Sequence, residues 1–198
     1  MYVLVNRRAA SRLTQSRLVI RSAPAVVNGK AFDFILISRR SCFRAGTRYH
    51  TRGIDDLGNV ANFVETEQIV YYSGQLCSYV QTRGSIPVFW RQQVNLKYKP
   101  RPAIETTQQT TTAFQNHFRK QLLTYGPQVL INLVDTKGSE MALAHEYQRL
   151  AQSSADLKLK CASVFSDIDF PVLTTHAGTF ILTSTKSAGI CNFIEWIY

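Results

Sequence analysis

The apolar pattern changes character along the chain. Before residue 91 apolar residues fall in short runs bounded by turn residues; after residue 112 helical spacing alternates with strand-like runs. Leu18-Val19-Ile20 reads as a strand, and Asn28-Gly29 as a tight turn. The run 32–37 (Phe-Asp-Phe-Ile-Leu-Ile) is apolar and β-rich, as in a buried strand. Runs at 69–72 and 77–81 flank Ser73-Gly74, which predicts a hairpin. Residues 91–112 are polar, with Lys97, Lys99, Arg101 and two prolines, and read as an extended surface linker.

Helical spacing then takes over. Phe114, Phe118 and Leu122 stand at i, i+4 and i+8, behind threonines able to cap and ahead of Gly126. A strand over 128–134 follows. Ser139 is placed to cap a helix bearing Leu143, Tyr147 and Leu150 on one face, and a last strand is expected within 157–165. Strand–helix–strand of this length demands a parallel crossover, so the fold class is α/β, a mixed sheet flanked by helices.

Composition narrows the class. A chain of 198 residues with 45% hydrophobic content can bury a sizeable core, which argues against disorder. Its net charge of +10 is unevenly spread: residues 1–60 hold eleven Lys/Arg against three Asp, and the rest holds twelve against ten acids. An anionic partner for the N-terminal half is implied, whether phosphate, lipid head group or nucleic acid. No apolar run approaches the ~18 residues of a membrane span, so a soluble or peripheral protein with no transmembrane segment is expected. The five arginines in residues 1–21 resemble a mitochondrial presequence, but Leu18–Ile20 favours a strand leading onward. Cys42, Cys77, Cys161 and Cys191 form no CxxC pair, which suits reduced thiols facing the cytosol. Repeats, GxGxxG and GxxxxGK loops are absent from the sequence. His117 and His145 lack partners at metal-ligand spacing, so both read as packed or surface residues; no metal or cofactor is implied.

The chemistry is concentrated in four blocks between residues 38 and 90: Ser-Arg-Arg-Ser-Cys-Phe-Arg-Ala-Gly-Thr-Arg-Tyr (38–49), Arg-Gly-Ile-Asp (52–55), Asn-Phe-Val-Glu-Thr-Glu-Gln (62–68) and Gln-Thr-Arg-Gly-Ser-Ile-Pro-Val-Phe-Trp (81–90). Guanidinium forks grip phosphate oxygens in pairs, so Arg40, Arg44, Arg48 and Arg83 are the candidate phosphate-binding residues. Gly46, Gly53 and Gly84 permit close backbone approach. Asn62, Glu65, Glu67 and Gln68 read as a polar network buttressing those arginines, with Glu65 suited to an internal ion pair. Phe89 and Trp90 read as core.

A cysteine phosphatase needs C-x5-R, in which a thiolate attacks phosphorus while loop amides and the arginine hold the other oxygens. The bare pattern occurs twice, at Cys42…Arg48 and Cys77…Arg83. The second alternates like a strand and has no glycine to wrap an anion. The first has Gly46, making Cys42 the better nucleophile candidate, yet no amphipathic helix follows it and no Ser/Thr succeeds Arg48 to assist the leaving thiolate.

Taken in order, these blocks resemble the Sac-domain phosphoinositide phosphatases. So do Asn-Leu-Lys-Tyr-Lys-Pro (95–100), Phe114 with His117-Phe118, Tyr125-Gly126, Ile-Asn-Leu (131–133) and Lys-Gly-Ser-Glu (137–140). The resemblance covers about residues 28–155 and is strongest to the membrane-anchored endoplasmic reticulum and Golgi type. It implies the N-terminal half of a Sac catalytic subdomain acting on phosphatidylinositol phosphates, cytosolic or peripheral on those membranes. It also implies a nucleophile segment, C-x5-R-T, downstream of these blocks. The sequence holds none, and Ile168-Asp-Phe170 is only a faint echo of the strand that should precede it. The expectation is therefore a truncated phosphatase, inactive alone: a basic segment over 1–27, a partial Sac domain over 28–160 and a divergent tail over 161–198. A non-catalytic module for phosphoinositide head groups or an anionic membrane surface is the alternative. Nucleic acid is not an expected partner, since no stacking signature or helix-turn-helix pattern accompanies the charge.

Overall fold

The computed structural model describes residues 15–47, 50–93, 100–126, 128–132, 134, 138–154, 157, 160–163 and 179–183. Its first half is an antiparallel meander of β1 (Gln15–Val27), β2 (Lys30–Ser41), β3 (Val64–Tyr72) and β4 (Gln75–Gly84). Asn28-Gly29 and Ser73-Gly74 form the two tight turns, all four residues at positive φ (49°, 73°, 48° and 77°). That geometry matches the right-handed twist of the strands it joins. Both turns were legible in the sequence.

A short hairpin follows, β5 (Phe89–Gln92) with β6 (Pro102–Glu105). Helix α1 (Gln108–Tyr125) then starts at Thr107, whose side chain accepts from the Thr110 amide while the Thr110 hydroxyl accepts from the Thr107 amide. Strand β7 (Gln128–Asn132), a 3₁₀ turn (Gly138–Glu140), α2 (Met141–Ser153) and β8 (Lys160–Ser163) make the expected parallel crossover. Strand β9 (Thr179–Thr183) lies antiparallel to both β4 and β7, giving the seven-stranded order β1-β2-β3-β4-β9-β7-β8. The sheet is mixed, as its sequence pattern predicts. Phe114 and Phe118 of α1, Leu143, Tyr147 and Leu150 of α2, and Leu130 and Val134 of the β7 region form one buried cluster.

Three expectations need correction. The stretch 91–112 is not a plain linker: it carries β6 and the first turn of α1, and residues 94–99 lie outside the described residues. Pairing of Trp90 with Ile104 holds the hairpin to the core, and Pro102 sits at a strand end where its missing N–H does no harm. The run 32–37 is not fully buried. Phe32 is, whereas Phe34 to Ile37 are half-buried; α1 packs further across the sheet, where Tyr125 reaches Glu65 of β3. Ser139 does not cap α2; Glu140 holds the cap position and makes no side-chain cap bond.

Candidate phosphate site

The site is built where β2 and β4 end together. Arg40 and Arg83 both pair with Val64, so they stand in one row on one face of the sheet, two strands apart. Strand spacing puts their backbones about 10 Å from each other. The loop leaving β2 is then folded back over this row by Asn62. Its Oδ1 accepts from the Arg40 Nη2 and, at 3.2 Å, from the Gly46 amide; its Nδ2 donates to the Thr51 carbonyl at 3.4 Å. The Arg40 Nη2 also donates to the Gly46 carbonyl at 3.1 Å, so residues 40, 46, 51 and 62 form a single clamp.

Arg44 and Asn62 both adopt left-handed backbone, with φ of 49° and 55°, and the Asn62 amide donates to the Arg44 carbonyl at 3.3 Å. The Arg44 Nη2 donates to the Arg52 carbonyl at 2.8 Å, while its Nε is buried without a partner among the described residues. Behind the loop Arg52 lies over the Trp90 ring at 5.3 Å. Gly53 sits at φ 71° with its amide on the Ser85 hydroxyl (2.9 Å); a Cβ there would meet the Val88 carbonyl oxygen at 2.5 Å. Only glycine fits this crossing of two backbones.

Of the residues singled out from sequence, the structure brings together Arg40, Arg44, Asn62 and, along the row, Arg83, which is exposed. Arg48 lies outside the described residues. Gln68 shares the Arg40 face but stands four residues further along β3. Glu65 is not with them. It points to the opposite face and, with Glu67, grips Arg39, at 2.7 and 2.8 Å. Ser78 donates to Glu67 at 2.9 Å and the Tyr125 hydroxyl donates to Glu65, closing a buried network against α1.

Burial and the Glu65 carboxylate together push the Tyr125 phenol far above its usual range. Burial works against the Arg39 charge, but the hydrogen bond to Glu67 and the two carboxylates outweigh it and raise its pKa. Sequence reading missed Arg39, Tyr125 and Ser78; the cross-strand register that puts Arg39 opposite Glu65 was the signal.

Cys42 is exposed and is followed by a turn at Phe43-Arg44. Cys77 lies inside β4 opposite Val70. Neither thiol stands at a helix N-terminus, which a phosphate-wrapping loop uses. His117 is buried; its Nδ1 meets the Gly58 carbonyl at 3.0 Å, and burial lowers its pKa to about 4. It is a packed histidine that ties α1 to the loop, and His145 is exposed on α2. Among the described residues no cluster of His, Cys, Asp and Glu could hold a metal ion.

Residues 9–171 match the family described as the SacI homology domain. The chain belongs to that family. The match reaches further at each end than the blocks read from sequence, and residues 172–198 lie beyond it. Among curated relatives, the SacI domain here is 53% identical to phosphatidylinositol-3-phosphatase SAC1-B of Danio rerio over 134 residues, 68% of this chain and 23% of that protein. It is 47% identical to the Drosophila melanogaster SAC1 phosphatase over 137 residues, 69% of this chain and 23% of that one. Phosphatidylinositide phosphatase SAC2 of Homo sapiens is 52% identical over 117 residues, 59% of this chain and 10% of its own length. The chain thus spans less than a quarter of each of these relatives. No helix among the described residues is long and apolar enough to cross a membrane.

Proposed function

We propose that these residues form the phosphate-gripping part of a phosphoinositide phosphatase that works at endoplasmic reticulum and Golgi membranes. The observation that carries this is the Asn62 clamp, which fixes Arg40 and the β2–β3 loop in one geometry. Arg83 on the same row adds a guanidinium suited to a ring phosphate, and Arg48, outside the described residues, is a further candidate on sequence alone. The relatives named as phosphatidylinositol phosphatases supply the substrate class.

Hydrolysis is a separate matter. It requires a thiolate presented by a loop and a helix end, and neither Cys42 nor Cys77 is presented so. On this reading, residues 1–198 hold a head group but do not cleave it. Phosphate release from phosphoinositide vesicles by the purified chain should not exceed the protein-free blank. Turnover that disappears in Cys42→Ser would overturn the reading.

Binding is tested apart from turnover. Retention on vesicles carrying phosphoinositide, over that on vesicles matched in charge with phosphatidylserine, should drop roughly ten-fold in Asn62→Ala, because the hydrogen bonds that hold Arg40 and the loop together go with it. Equal retention of the two proteins would remove the clamp from the account.

A further inference from the structure

The β1–β4 meander separates its charges by face. Register places Arg17, Arg21, Lys30, Arg40 and Arg83 on one side with no carboxylate among them; Asp33, Glu65 and Glu67 all lie on the other, with Arg39. Arg17, Arg40 and Arg83 share a single row across four strands, and Arg21 stands four residues along β1. Arg17, Arg21 and Arg83 are exposed and have no ion-pair partner among the described residues. Between the cationic row and Lys30 the same face is mixed: Phe34 and Leu36 are half-buried and Val70 is buried, beside Ser38, Thr66 and Gln68.

One further feature stands at the cationic end. The turn directly after β2 presents Phe43, a large ring left 49% exposed. An exposed aromatic three residues beyond Arg40 can enter the interface of a bilayer while the cations of the row meet phosphate. Base stacking fits less well, because Phe32 is buried and Phe34 and Tyr79 are half-buried.

We infer that this face is a docking surface for an anionic lipid bilayer, with Arg17 and Arg21 meeting the head groups and Phe43 entering the interface. The inference goes beyond the head-group site. It requires bulk negative charge rather than an inositol ring, so it stands or falls separately from the proposed function.

Flotation of the 198-residue chain with phosphatidylcholine vesicles, with and without phosphatidylserine, tests it; flotation excludes protein that merely pellets. Binding should require phosphatidylserine and weaken with added salt. Reversing Arg17 and Arg21 together to Glu should lower the partition by about 25-fold or more, at roughly five-fold for each cation removed. Phe43→Ala should weaken binding while leaving its salt dependence intact.

Ser22→Glu is the control, since it alters charge on the same strand but the opposite face; it should bind nearly as well as the unaltered chain. Circular dichroism checks that each variant folds. Three results would each overturn the inference: equal flotation with neutral vesicles, equal loss in Ser22→Glu and in Arg21→Glu, or an RNA complex tighter than the lipid complex at the same salt.

Discussion

Consecutive arginines on β2 have unrelated tasks. Arg40 is held by the loop it helps to close, whereas Arg39 points through the other face to Glu65 and Glu67. Two nearly buried carboxylates facing one guanidinium make that side chain hard to replace. Arg39→Met should destabilise the fold by about 3–5 kcal/mol, since it strands both acids without their cation. Urea denaturation checks this, and a loss below 1 kcal/mol would mean that water reaches the network.

His117 makes the pH dependence predictable. Its folded pKa of about 4 lies below the ordinary 6.5, so the unfolded chain takes up a proton first as pH falls. The stability associated with neutral His117 is therefore complete above pH 6.5 and is lost between 6.5 and about 4. A shift of this size corresponds to roughly 3 kcal/mol. His117→Gln should flatten the stability profile across that window, although it starts from a less stable fold; an unchanged slope would locate the dependence in the carboxylates instead.

At the scale of elements, the chain announces some structures and conceals others. Asn28-Gly29 and Ser73-Gly74 announce hairpins because few residue pairs accept two positive φ angles. Ser73 is the weaker of the two choices, since asparagine tolerates that conformation better. Ser73→Asn should raise stability by roughly 0.5 kcal/mol, readable as a higher urea midpoint with unchanged slope.

The helices were equally plain, as Phe114 and Phe118 with the partly buried Leu122, then Leu143, Tyr147 and Leu150, mark their core faces. Strand β6 was hidden because four residues opening on a proline carry too little alternation to register. The site was legible in residue type but not in partnership. Arginine and asparagine named themselves as candidates. Which arginine meets which acid depends on strand register, and one step of register exchanges Arg39 for Arg40.

Across the whole molecule, the sheet extends beyond the helices that cover it, and its β1 margin is where behaviour in solution is decided. Leu18, Ile20 and Val26 lie on one face of β1 with 52%, 59% and 68% of their surface exposed, and Tyr71 and Leu76 continue that face on β3 and β4. β1 is also an end strand of the described sheet, thirteen residues long, so an apolar face and a free hydrogen-bonding edge coincide. That combination invites pairing with a second chain.

The isolated chain should therefore self-associate as concentration rises, visible in light scattering as growing particle size. Lysine on the apolar face of an edge strand opposes such pairing, because stacking two copies would bury the charge. Ile20→Lys should restore a narrow monomer distribution without lowering the melting temperature, as residue 20 makes little use of its burial at present. A chain that stays monodisperse without the substitution would show that this face is covered, and the open-edge account of the fold would then be wrong.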